Sequence, residues 1–492
     1  MFGFTGNGEC LSVQKTIKVV YSSVSDDFWI NSCTTDLESL RSCDLFIVLN
    51  NDRQETAFQV EEAQRRGCKA ILLEQDIPEI KIPYFIVANV RVAYGILCQK
   101  LYGNPADSMF VTAVTGTAGK TCTALLTAGV LAESGNRVGV ISSIGIYDGE
   151  KMYPATKKTP PANEMAYWFS RMRAAGCTDV VLEVSSDALL KESLSGIVLD
   201  AVCLTNLRYQ DCPESEEEYR RTELSIFQYA KKEAFAIGNA DDPVLHEVMP
   251  LINHPLLTVG IEETAELTGT LYERTSGDQT FLLTAGTETI PVRTRVIGDS
   301  HILNSMIAAG FGLCRGIDLK KAVRGIERVD NIPGRMERID CGQPFHVFLD
   351  SAQTQEALRT TLRTIREITA GNLYCVFGME EETDTDRLCQ LGKTLELHAD
   401  QIVLTADSLT ADQPEAAIKK ILRGMDETRS VRKFRDRTDA ISWTLGKIEP
   451  EDSLLIVSGS HDLSLDVSDY DVTLSDRAFI KEWLCENQPA YF

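Results

Sequence analysis

Three shortages narrow the reading of this 492-residue chain. It has no apolar run of about 18 residues and no signal-peptide pattern at its start, so neither a membrane span nor export is expected, and a soluble cytoplasmic protein is. It has no C-x-x-C pair: its 14 cysteines lie scattered from Cys10 to Cys485, often inside apolar runs such as Ala201–Leu204 and Leu373–Phe377. Reduced, mostly buried thiols are therefore expected rather than disulfides or a zinc site. Positive charge is scarce, with 49 Lys and Arg against 72 Asp and Glu and a net charge of −23. That balance argues against nucleic-acid binding and against an anionic membrane surface, both of which need a basic footprint. An acidic chain that handles an anionic ligand must gather its cations locally.

One such place is Val111–Thr121, where a buried-strand pattern runs through Gly116, Thr117, Ala118 and Gly119 into Lys120 and Thr121. The G-K-T ending is that of a phosphate-binding loop: backbone N–H groups at a helix start cradle a polyphosphate, Lys120 adds a point charge and the Thr121 hydroxyl ligates Mg²⁺. ATP is the first ligand expected. Only two residues separate Gly116 from Gly119, two fewer than in the usual spacing, so a plain glycine-rich turn is the alternative. The helix-like Cys122–Leu131 that follows favours the loop.

At this length two to four domains are expected. Short apolar runs alternate with longer amphipathic stretches, which predicts α/β architecture with largely parallel sheets. Asp44–Leu49 and Lys69–Leu73 flank a helical pattern from Ala57 to Arg66, and the turn at Tyr102–Pro105 ends that unit. Asp179–Glu183, Asp200–Leu204 and Ala234–Ile237 extend the sheet begun by the loop strand. After Asn331–Arg335, strands are expected at Phe345–Leu349, Leu373–Phe377, Gln401–Leu404 and Ser453–Val457. The expected domains are 1–107, 108–332 and 333–492.

The order of motifs resembles the Mur ligase family, most closely its MurE-type branch, over almost the whole length. The resemblance is carried by Val114–Thr121, Lys158–Pro160, Leu182–Ser186, Thr205–Leu207, Asn239–Pro243, Asn304, Pro333–Arg338, Asp350 and Val376–Gly378. It implies three domains: an N-terminal UDP-substrate-binding-like one, a central P-loop ATP-binding one and a C-terminal Rossmann-like one. It also implies ATP- and Mg²⁺-dependent amide formation through an acyl phosphate. In that scheme Lys120 holds the β- and γ-phosphates, Thr121 and Glu183 ligate Mg²⁺, Asn304 meets adenine, and Arg335 and Asp350 reach the γ-phosphate and ribose. Gly116, Thr117 and Gly119 line the nucleotide loop, while Thr159, Ser185, Asp407 and Asp462 fall on the substrate side. The implied partners are small molecules, a UDP-sugar peptide or related acid and an amino acid, bound by a monomer.

Departures from the family pattern cluster on the substrate side. Glu223 stands where the family has a carbamylated lysine; it brings a carboxylate without modification and is expected either to support Mg²⁺ or to be an exposed helix acid like Glu216, Glu217 and Glu218. Asp211 falls near a histidine lost from beside the family's second metal and is a candidate Mg²⁺ ligand there, where with Glu223 it would make an all-carboxylate second site. Asp187 and Gln353 stand where other histidines are expected, and Ser193 stands in place of an arginine. Asp407–Thr410 replaces Asp-Asn-Pro-Arg, so Thr410 removes a carboxylate-clamping guanidinium. Ser458–Asp462 keeps only His461 and Asp462 of a longer signature, and Thr34–Asp36 lacks the N-terminal arginine. For Glu183 the alternative is an N-cap or surface acid; for Asn304 it is a helix-satisfying residue. Two further readings of the whole stay open: a catalytically weakened ATP-binding paralogue that regulates or scaffolds, and a folate-type polyglutamate ligase.

Overall fold

The computed structural model describes residues 10–40, 45–50, 52–78, 80–209, 215–379, 384–406, 414–426, 430–457 and 475–487. Three main sheets follow one another along the chain. The first has five strands in the order Val19–Ser22, Tyr84–Val87, Ala70–Leu73, Leu45–Ile47 and Cys33–Thr34, with only the Val19–Ser22 edge antiparallel. The helix beside it begins at Arg53, earlier than its apolar pattern, because the Asp52 side chain caps the N–H groups of Gln54 and Glu55.

The second sheet has eleven strands and carries the site. At its centre Phe110–Thr115 lies parallel between Asp179–Glu183 and Leu199–Leu204. All three are apolar runs buried on both faces, as covered parallel strands must be. Register places Glu183 beside Val114 and Leu204 beside Thr115, so the three strands end together at one carboxyl-terminal edge. Beyond Leu267 the sheet turns into an antiparallel meander of Leu267–Arg274, Gln279–Ala285 and Glu288–Thr294.

The helix that follows the loop, Lys120–Glu133, packs against the helices Asp299–Cys314 and Leu319–Glu327. Two glycines allow that approach: a Cβ on Gly325 would lie 2.5 Å from the Val130 Cα, and one on Gly129 would lie 2.8 Å from the Gly325 carbonyl oxygen. The third sheet runs Glu337–Ile339, His346–Asp350, Ser453–Val457, Leu373–Met379, Gln401–Ala406 and Val431–Lys433, parallel except at Glu337–Ile339. Among the described residues no helix is long and apolar enough to cross a membrane.

Candidate nucleotide and acyl-transfer site

The loop from Gly116 to Gly119 closes over the ends of the three central strands. Gly116 and Gly119 have φ of +125° and +86°, the region that side chains avoid. A Cβ on Gly116 would lie 2.4 Å from Thr205 Oγ1, and one on Gly119 would lie 2.6 Å from Asn304 Oδ1. The loop is braced from the next strand end, where Thr205 Oγ1 donates to the Ala118 carbonyl at 2.6 Å and Asn206 Oδ1 accepts the Ala118 N–H at 2.9 Å. The Thr117 N–H donates to the Asn206 carbonyl, and its hydroxyl bonds the Arg208 carbonyl at 2.8 Å and the Tyr219 hydroxyl at 2.7 Å. The first N–H groups of the Lys120–Glu133 helix have no intrahelical partner by construction and give that end a partial positive charge, which suits an anion.

Lys120 folds back onto this loop, its Nζ donating to the Gly116 and Thr117 carbonyls at 2.5 and 3.2 Å. Enclosure pulls its pKa below the ordinary lysine value; Glu223 and Glu183 oppose that shift, and Lys158 and Arg335 add to it.

Beside Lys120 lies an all-oxygen cluster. Thr121 Oγ1 donates to Glu183 Oε1 at 3.2 Å, the Ser143 N–H donates to Glu183 Oε2 at 2.9 Å, and the two hydroxyls of Thr121 and Ser143 are 3.0 Å apart. Glu183 is buried, so it is not a surface acid, and the helix beyond it is capped by Ser185 instead. Arg335, from the turn that leads into the third sheet, brings its Nη2 to 3.4 Å from Thr121 Oγ1 while its Nη1 donates to Ser351 Oγ. One carboxylate and two hydroxyls fit Mg²⁺, which uses few protein carboxylates and completes its shell with phosphate oxygens and water. Among the described residues no group of three or more His, Cys, Asp or Glu could hold a metal by itself.

Glu223 is not the exposed acid that its neighbourhood suggests. Glu216, Glu217 and Glu218 crowd the exposed first turn, where Ser215 and Glu218 form a capping box. Tyr219 and Glu223, one turn apart, are the buried face of the same helix. The Glu223 carboxylate accepts the Thr115 hydroxyl at 2.5 Å, the Gly116 N–H at 3.0 Å and the Ser186 hydroxyl. It holds the loop from beneath.

Asn304 is buried mid-helix, where its Oδ1 accepts the Thr123 hydroxyl at 3.2 Å and abuts Gly119. Asp350 accepts the Met336 N–H at 2.7 Å and the Thr361 hydroxyl at 3.4 Å, and burial raises its pKa. It thereby pins Met336, at φ +45°, and with it the turn bearing Arg335. Thr159 Oγ1 donates to the Glu183 carbonyl at 2.9 Å and accepts the Ser185 N–H at 3.0 Å. Gly116, Thr117, Gly119, Lys120, Thr121, Glu183, Glu223, Asn304 and Arg335 thus share one neighbourhood, with Thr159 and Ser185 at its side and Asp350 behind it. Asp211, Asp407 and Asp462 lie outside the described residues.

Asp187 is exposed and pairs with Lys191 one helical turn on. Several residues of the site carry no role in the sequence reading, among them Ser143, Thr205, Asn206, Arg208 and Tyr219. Thr205–Leu207 was visible as a motif, whereas nothing local distinguishes Ser143, which only tertiary packing brings to Glu183.

The Mur ligase middle domain matches residues 114–312, and the Mur ligase glutamate ligase domain matches 334–461. A UDP-N-acetylmuramoyl-L-alanyl-D-glutamate--2,6-diaminopimelate ligase from Geobacillus thermodenitrificans is 30% identical over 439 residues, covering 86% of this chain and 89% of that protein. The ligase of the same name from Geobacillus kaustophilus is 29% identical over 464 residues, 91% and 94% of the two chains. Among solved structures, a diaminopimelate ligase of that name superposes with a TM-score of 0.67 at 21% identity, covering 92% of this chain and 94% of its own. The MurF ligase of Thermotoga maritima, solved in complex with ADP, gives 0.63 at 18% identity, covering 93% and 98%.

Proposed function

Because this chain belongs to the Mur ligase family, we propose that it is an ATP-dependent ligase that joins an amino acid to a UDP-N-acetylmuramoyl-peptide acid through an amide bond. One observation carries the reading: Lys120, Thr121 and Glu183 converge at the sheet edge, and Arg335 reaches them from the module that follows. Phosphoryl transfer needs mainly positioning and charge neutralisation, and this arrangement supplies both.

In this reading the acceptor carboxylate attacks the γ-phosphorus and releases ADP, and the incoming amine then displaces phosphate from the acyl phosphate. Lys120 and the helix N-terminus hold the phosphate oxygens, and Arg335 faces the charge that develops between them. Thr121, Ser143 and Glu183 would hold a magnesium ion together with the phosphates, and that ion would supply further neutralisation. Glu223 keeps the loop in its curved form. Thr159 and Ser185, tied to the end of the Glu183 strand, border the acceptor side. The same reading makes the protein a cytoplasmic monomer acting on small molecules.

The relatives are named as ligases and the nucleotide residues are retained, so a non-catalytic scaffold is not favoured. Phosphate release from ATP, measured with an acceptor panel and the common amino acids, tests the proposal. Release that requires both acid and amine is expected; nucleotide binding without such release in any combination overturns it.

A further inference from the structure

The helix Gln355–Ile368 of the third module carries an acid near each end, Glu356 in its first turn and Glu367 in its last, about 16 Å apart at helical rise. Each is met by an arginine from the central module. Arg208 Nη1 lies 3.0 Å from Glu356 Oε1, and Arg274 Nη1 lies 2.7 Å from Glu367 Oε2. The two arginines are anchored differently. Arg274 is buried and fixed by Gln279 and Asp299 as well. Arg208 is exposed, with Asp242 at 3.6 Å on its own module. Asp242 is not dependent on it, because its carboxylate also accepts the Leu245 and Leu207 N–H groups.

What separates Arg208 from an ordinary surface cation is its backbone. Its carbonyl accepts the hydroxyl of Thr117, a residue of the nucleotide loop, and the neighbouring Asn206 holds the Thr117 and Ala118 N–H groups. A path of four bonded groups therefore runs from the loop through Thr117, the Arg208 carbonyl and the Arg208 guanidinium to Glu356. Exposed ion pairs are individually weak and salt-screened, which suits a contact that forms and breaks in each cycle.

We propose that Arg208 is a positioning residue that couples the nucleotide loop to docking of the third module through Glu356, so that the loop's state sets how often Arg335 is held over Thr121. This rests on the ligase reading for its catalytic consequence, though not for the docking itself.

The test uses the full chain and four variants: R208A, E356Q, the double R208A/E356Q, and R359A. Arg359 also pairs with Glu356 but within the same helix, so it reports any effect confined to that helix. Small-angle X-ray scattering with and without Mg²⁺-ADP reads docking, calorimetry reads ADP affinity, and acceptor- and amine-dependent phosphate release reads kcat and KM. R208A and E356Q are each expected to enlarge the radius of gyration and to lower kcat about three- to fivefold, with KM for ATP and ADP affinity within about twofold, and the double variant should be no worse than R208A alone. R359A should match the parent. Additive losses in the double variant, an unchanged kcat in R208A, or equal losses in R359A would overturn the coupling. E356Q is near-isosteric at a partly exposed site, so it remains informative if R208A folds poorly. Compaction through Arg208 without any ligation sinks the ligase reading alone; normal ligation and compaction in R208A sink the coupling alone.

Discussion

Glu223 Oε2 accepts the backbone N–H of Gly116 at 3.0 Å, so the first glycine of the nucleotide loop is held by a carboxylate of the protein itself. The same oxygen takes the Thr115 hydroxyl at 2.5 Å, and the other takes the Ser186 hydroxyl. Three donors meet on one buried side chain, of which the Thr115 hydroxyl also has the Val184 carbonyl at 3.0 Å.

Glu223→Ala leaves the buried Gly116 N–H without its acceptor, and a buried unsatisfied group costs about 1–3 kcal/mol. The variant should lose on the order of 2 kcal/mol of unfolding free energy, whereas Glu223→Gln, which keeps an acceptor oxygen, should lose less. Urea unfolding of both variants checks this, and equal midpoints for Ala and parent would contradict the bracing role. Titrating Mg²⁺ against turnover in the same variants separates bracing from metal support: a metal dependence that stays put assigns bracing alone.

Lys120→Ala removes a cation opposite the developing phosphoryl charge. Turnover should fall by about 10²–10³-fold, with the circular dichroism spectrum unchanged. Parent-like turnover in this variant would remove Lys120 from the site.

Gly119→Ala places a methyl group 2.6 Å from Asn304 Oδ1 at a backbone φ of +86°. Strain of about 1–3 kcal/mol is expected at such a position, so calorimetry should find ADP bound about tenfold more weakly or worse. Undiminished affinity would mean that the loop opens without cost.

His301 is buried, its Nδ1 has no hydrogen-bond partner among the described residues, and burial, with Arg335 and Arg274 nearby, holds its pKa down at about 3. The unfolded chain takes up this proton near pH 6.5, while the folded chain stays neutral until about pH 3. Between those values the unfolded state binds more protons, so stability declines as pH falls, by about 1.4 kcal/mol per unit from this residue alone. His301→Gln should flatten the pH dependence of unfolding over that window by close to one proton. An unaltered slope would show that His301 titrates normally.

The central strands and the loop were legible because buried parallel strands read as short apolar runs and because Gly116, Gly119, Lys120 and Thr121 are adjacent in sequence. Glu183 was legible for a similar reason: it ends such a run, and strand ends at this edge face ligands. The environment of Glu223 was not. It sits in the acidic, exposed-looking stretch Glu216–Leu224, and only the helical spacing of four from Tyr219 hints that both face inward. The meander from Leu267 to Thr294 was missed because its outer strands, Leu267–Arg274 and Glu288–Thr294, mix threonine and charge with scattered apolar residues and so resemble a solvated surface. Ser143 became visible only once the sheet had set the end of Val138–Ser142 beside that of Asp179–Glu183.

Lys120 spends its ammonium on the carbonyl oxygens of Gly116 and Thr117. A polyphosphate that engages it must therefore take over from partners already in place, and the affinity gained is the difference between two comparable sets of contacts rather than the whole of the second. The reverse exchange is equally at hand when product departs. A lysine with such a ready fallback lends itself to quick release of spent nucleotide more than to tight retention.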